Sequence, residues 1–191
     1  MTFDAARTAV LCMDCQTGIL SFYTGDKEEF LGRMGNVLGH ARDRGMKVIY
    51  VRVGFRPGMP EISPRNAYFN AIKSDPERQK MLQGPLGEIA ASIAPKEGDI
   101  VVTKHRISAF SGTDLAMILR AAEIDTLILF GIATSGVVLS TLVDAVDADF
   151  RLLVLKDCCA DRNASLHDCL VNQFFPARAT VVSSEEFLAA E

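Results

Sequence analysis

The sequence predicts an α/β domain in which helices cover both faces of a largely parallel sheet. Three observations carry this expectation. Six short apolar runs recur along the 191 residues, stretches of helical periodicity separate them, and glycine or proline marks many of the junctions. Strands covered on both faces read as continuous runs of leucine and β-branched residues, not as strict alternation. Strand–helix alternation then favours a doubly wound sheet over two segregated layers. The length suits one domain spanning 1–191, and no repeat, low-complexity tract or linker divides it.

The strand candidates are residues 9–13 (AVLCM), 47–53 (KVIYVRV), 100–103 (IVVT), 126–130 (TLILF), 152–155 (LLVL) and 179–182 (ATVV). Residues 28–44 place Phe30, Leu31, Met34, Val37, Leu38 and Ala41 on one stripe near a 3.6 period, and Gly45 ends that helix. Thr113 and Asp114 read as the start of a helix over 115–122. Further helices are expected over 138–146, over 165–174 with Pro176 behind it, and over 185–190 behind a serine cap. Residues 54–64 hold three prolines and two glycines and read as a long surface loop.

Composition narrows the function classes. Twenty basic and 24 acidic side chains leave a net charge of −4, which argues against nucleic acid or an anionic membrane as the main partner. No apolar run approaches the ~18 residues that cross a bilayer. The N-terminal stretch lacks the basic region and apolar core of a signal peptide, so a cytoplasmic protein with reduced cysteines is expected. Five cysteines are an odd number, which does not suit a disulfide framework. His40, His105 and His167 are scattered without metal-ligand spacing, so neither metal nor cofactor is expected.

Ligands of doubly wound sheets bind beyond the carboxyl ends of the strands. That rule selects Asp14 after the first strand, Phe55 and Arg56 after the second, Lys104, His105 and Arg106 after the third, and the turn Gly131–Gly136 after the fourth. Asp14 and Lys104 bring a carboxylate and an ammonium to one rim, as a proton-handling pair or as a structural ion pair. The glycine-flanked turn, with Thr134, Ser135 and Gly136, offers backbone amides to an oxyanion. It is not a dinucleotide fingerprint, because G-x-G-x-x-G is absent.

The ordered set AVLCMDCQ, VTKHRISAF, GIATSGVVLSTLVDA, DCCADRNASLHDCL and FPARATVVSSEEF resembles the isochorismatase-like (cysteine hydrolase) superfamily over essentially the whole chain. The resemblance implies a three-layer α/β/α fold, Rossmann-like, with a six-stranded parallel sheet. It also implies a small-molecule substrate and a homo-oligomer, dimer or tetramer. The family's amidohydrolases use an aspartate–lysine–cysteine triad. By resemblance Asp14 and Lys104 match the first two members, and the nucleophile position, six residues beyond Gly131, holds Val137. A cis Ile132–Ala133 bond beside an oxyanion hole is implied in the same way. Aromatic side chains wall the pocket in such proteins, which nominates Phe22, Phe55, Phe69 and Phe110. Nicotinamidase-like members bind a metal after the second strand, but VRVGFRPGM has neither histidine nor carboxylate there.

Valine has no lone pair to attack a carbonyl, so a thioester route is closed at Val137. Cys15 is the alternative thiol nearest the rim, although continued strand geometry would aim it at the opposite face. The expected function is a cysteine-independent hydrolase of a small molecule in which Asp14 and Lys104 act with water. The isochorismatase branch supplies the precedent, cleaving a vinyl ether with an aspartate as general acid, although a glycine is usual there where Val137 stands. The alternatives are a catalytically silent ligand-binding or regulatory protein, and an oligomeric scaffold in which Asp14 and Lys104 only pair.

Overall fold

The computed structural model describes residues 4–21 and 26–190. Six strands form one sheet: β1 (Thr8–Met13), β2 (Lys47–Val53), β3 (Ile100–Lys104), β4 (Thr126–Ile132), β5 (Arg151–Ala160) and β6 (Thr180–Val182). They lie in the order β3-β2-β1-β4-β5-β6 with every pairing parallel. Both central strands are buried along their whole length, which is why they read as unbroken apolar runs.

The helices are α1 (Thr17–Leu20), α2 (Lys27–Asp43), α3 (Ala67–Lys73), α4 (Pro76–Lys80), α5 (Leu115–Ala121), α6 (Leu139–Asp147), α7 (Ala164–Cys169) and α8 (Ser184–Leu188). Right-handed crossovers that move outward from the centre in opposite directions put their helices on opposite faces. Thus α2, between β1 and β2, covers one face and α6, between β4 and β5, covers the other. The stripe expected on α2 is the one that packs: Met34, Val37, Leu38 and Ala41 are buried. His40 of α2 meets Phe187 of α8 edge-on at 5.3 Å, so it is half-buried and not on an exposed surface. Ser183 caps α8 in a reciprocal box with Glu186.

Three features depart from the sequence reading. β5 runs on to Ala160, because after a register shift between Leu129 and Gly131 it keeps pairing with β4; Cys158 and Cys159 are therefore in the strand. A π-helical turn, Thr134–Val138, leads into the helix expected over 138–146, and a second, Leu170–Phe174, forms the latter half of the helix expected over 165–174. Three short helices, α1, α3 and α4, occupy residues that had no element assigned. Asn66 caps α3 through the Phe69 amide, and Asp75 followed by Pro76 starts α4. Among the described residues no helix is long and apolar enough to cross a membrane.

Candidate active site

Chain order reverses between the neighbours β1 and β4, and the carboxyl ends of these strands open the crevice in which such sheets bind ligands. Asp14 follows β1 directly. Its amide still donates to Val51 O at 2.8 Å, but its φ of 55° ends the strand and turns the side chain at the rim. Lys104 closes β3, two strands away, and its Nζ lies 2.8 Å from Asp14 Oδ2. Both side chains are almost wholly buried, at 3% exposure for Lys104 and 9% for Asp14. Lys104 also donates to Arg106 O at 3.0 Å. Asp14 Oδ1 has no hydrogen-bond partner among the described residues. Burial pushes the Asp14 carboxyl above its ordinary value, and the Lys104 ammonium opposes that shift only in part.

Gln16, completely buried, braces this end of β1. Its amide donates to Val53 O at 3.0 Å and Gly87 O at 2.8 Å, and its Oε1 accepts from Val53 N at 2.8 Å. One side chain therefore ties the ends of β1 and β2 to the segment that follows α4.

The β4 end supplies the second half of the site. Gly131 sits at φ +142°, and a Cβ there would lie 2.1 Å from Met13 O, so only glycine lets β4 close against β1 beside Asp14. The Ile132–Ala133 peptide is cis, as the resemblance implied. The π-helical turn that follows is braced from the β5–α7 connection and from α7. Asp161 Oδ2 accepts from Ser135 N at 2.7 Å, and His167 Nδ1 lies 2.8 Å from Thr134 Oγ1. The hydrogen bonds from Ser135, with others from the backbone nearby, hold the Asp161 carboxyl below its ordinary value against the opposing effect of burial.

Asp14, Lys104, Ile132, Ala133, Gly136 and Val137 line one cavity of about 310 Å³. Val137 is 2% exposed and forms part of its wall. Arg106 and Phe69, both nominated from the sequence, also line it. The remaining wall is mostly apolar. Tyr68 and Ile72 come from α3, Met81 and Leu82 from the turn after α4, and Ile19, Val53 and Ile107 also line it. Sequence reasoning missed these residues, together with Arg78 and Arg162. The Asn66 and Asp75-Pro76 start signals were the available clue to the helices that carry several of them.

Other nominated residues lie outside the cavity lining, each for a physical reason. Phe55 packs into a small cluster with Met59, Ile62 and Phe69. Arg56 is exposed and pairs with Glu61 at 2.6 Å. His105 turns its Nδ1 to Gly54 O at 2.6 Å. Phe110 packs on Phe150 with ring centroids 6.0 Å apart. Thr134 Oγ1 and the Ser135 amide are engaged by His167 and Asp161. Phe22 lies outside the described residues. Cys15 is buried against α2, with Sγ 3.8 Å from Met34 Sδ, and the neighbouring Cys12 thiol and burial push its own thiol well up. That placement and that shift both disfavour a thiolate nucleophile at Cys15.

Comparison with known proteins gives the family and the fold. Residues 8–186 match the isochorismatase domain. An uncharacterized isochorismatase family protein of Escherichia coli O157:H7, YecD, is 33% identical over 100% of this chain and 99% of its own length. Maleamate amidohydrolase of Pseudomonas putida is 32% identical over 69% of this chain and 60% of its own. The crystal structure of N-carbamoylsarcosine amidase from Thermoplasma acidophilum superposes with a TM-score of 0.74 at 27% identity, covering 94% of this chain and 97% of that one. With its domain match nearly end to end and a full-length relative above 30% identity, the chain belongs to the isochorismatase family.

Proposed function

We propose that this chain hydrolyses a small amide without a cysteine nucleophile, using Asp14 and Lys104 to activate water. The observation that carries the reading is the asymmetry of the Asp14 carboxylate. Oδ2 is fixed by Lys104, while Oδ1 is buried and unpaired on a residue that lines the cavity. A buried acceptor without a partner costs about 1–3 kcal/mol, and a water or substrate N–H placed there would recover that cost. A carboxylate raised above its ordinary value is also a stronger base.

In the proposed reaction Asp14 takes a proton from water as the water oxygen attacks the amide carbon. Lys104 keeps the carboxylate oriented and offsets its charge. The C=O electron pair moves onto oxygen, and the backbone amides of Ala133 and Val137, two residues that line the cavity, are the proposed donors to that oxyanion. When the intermediate collapses, the C–N bond breaks and Asp14 returns its proton to the departing nitrogen. The products are a carboxylic acid and ammonia or an amine. The amide class is supported by relatives named as amidohydrolases. By the resemblance drawn from the sequence motifs, Val137 takes the position of the nucleophile in such amidohydrolases.

Val137 also favours a second reading, in which the cavity binds a small ligand without turnover. A panel of primary amides and enol ethers, assayed with wild type and Asp14→Asn, separates the two. Hydrolysis reduced at least about 100-fold by Asp14→Asn supports the enzyme. Equal rates in both proteins remove Asp14 from the chemistry, and binding without product in wild type favours the silent protein.

A further inference from the structure

We infer that the ligand of this cavity carries a carboxylate, and that Arg106 is the residue that selects it. The inference rests on the preceding reading only in taking the cavity as the substrate site; it does not require turnover.

The cavity is positively charged in a chain whose net charge is −4. Its charged lining residues are Lys104, Arg78, Arg106 and Arg162 against the single carboxylate of Asp14, which Lys104 already occupies. Arg106 differs from Arg78 and Lys104 in how it is held. One terminal nitrogen donates to His105 O and the other donates to Glu61 O at 3.0 Å. Its guanidinium also lies 5.7 Å from the Phe69 ring centroid. All three contacts fix the position of the group, yet none brings a formal negative charge. The Glu61 carboxylate faces Arg56, and among the described residues no carboxylate lies within ion-pair distance of Arg106. Arg78, by contrast, is exposed and shares its charge with Asp75 at 3.2 Å.

A half-buried guanidinium held by neutral acceptors keeps three of its five N–H donors and its full charge for a partner. With apolar walls around it, the fitting partner is a planar anion that accepts two parallel hydrogen bonds. The Arg106 carbonyl accepts from Lys104 Nζ, so this residue directly adjoins the Asp14–Lys104 pair. Asp14 and Arg106 line the same cavity, so a short acid spanning it would set its carboxylate on Arg106 and its amide toward Asp14.

The test is isothermal titration of malonamate, succinamate and maleamate, each beside its neutral diamide. The proteins are wild type, Arg106→Gln, Arg106→Lys and Asp14→Asn, with thermal melts checking the fold of each. Wild type is expected to bind at least one acid about tenfold or more tighter than its diamide. Arg106→Gln should abolish that preference while leaving diamide affinity in place, and Arg106→Lys should retain part of it. If Arg106→Gln does not melt cooperatively, a reduced preference in Arg106→Lys carries the same meaning. Equal affinity for acid and diamide, no binding of any acid to wild type, or an unchanged preference in a folded Arg106 variant overturns the inference. Asp14→Asn should keep the acid preference, so loss of catalysis and loss of carboxylate selection are read separately.

Discussion

Lys104 Nζ reaches Asp14 Oδ2 at 2.8 Å across the whole width of β2, since the two residues end β3 and β1 on either side of that strand. The pair is buried, so removing one partner strands the other's charge. Asp14→Asn and Lys104→Met are each expected to cost about 3–5 kcal/mol in chemical denaturation at neutral pH. The double variant Asp14→Asn/Lys104→Met should cost less than the sum of the two, because it leaves no unpaired charge. Additive losses would show that the two groups do not depend on each other.

Burial sets the direction of the pH response. Asp14 holds its proton to a higher pH in the folded chain than its ordinary value of 3.8. If the ionised form is the base, kcat/KM should rise with a midpoint above 3.8, and no hydrolysis should remain well below that midpoint. The linked stability has the opposite trend. Between 3.8 and the folded value the unfolded chain has released a proton that the folded chain keeps, so this group's contribution falls as pH rises through that window. Denaturation at a series of pH values, with Asp14→Asn as reference, checks both the window and the sign.

Gly131 is predicted to be irreplaceable at the join between the two halves of the sheet. Gly131→Ala puts a methyl 2.1 Å from Met13 O at a φ of +142°, and the backbone of β1 has to move. A loss of about 3 kcal/mol or more is expected from thermal melts. Gly45→Ala is the matched control. Gly45 also has positive φ, at +76°, but it has open space around it. The control should lose only about 1–2 kcal/mol, the ordinary cost of the left-handed conformation.

Thiol labelling tests which positions face the cavity. Cys12, Cys15, Cys158 and Cys159 are buried, and burial pushes the Cys159 thiol up to about 12. Cys169 is exposed. Iodoacetamide followed by peptide mass spectrometry should therefore modify wild type at Cys169 while sparing those four. Val137→Cys should add label at position 137, in a wall open to small molecules. A folded Val137→Cys protein that resists labelling there would contradict the assignment of this side chain to the cavity.

Much of the fold was legible because strand burial is a local property of the chain. The run KVIYVRV coincides with β2 from Lys47 to Val53, and the α2 stripe is the one that packs. β5 read as ending at Leu155 because the apolar run LLVL stops there, at Lys156 and Asp157. It continues because β4 still offers partners beyond the register shift. α3 and α4 were missed for a different reason. Both are short, α4 buries none of its residues, and a helix that buries so little leaves almost no periodic signal. Those two helices and the turn after them provide Tyr68, Phe69, Ile72, Arg78, Met81 and Leu82, a large share of the cavity wall.

By itself the sequence determined the parallel sheet and the rim to which its strands deliver Asp14, Lys104 and the Gly131–Gly136 turn. Those are consequences of element order, which apolar patterning reveals. Only the tertiary structure decided which rim residues face the cavity. Beyond the last strand pair a side chain's direction is set by local dihedrals, as at Asp14, and by competition for partners. Gly54 O took His105, Glu61 took Arg56, and neutral carbonyls took Arg106 and left its charge uncompensated. No residue's type announces which competitor wins, because the partners come from segments distant in the chain.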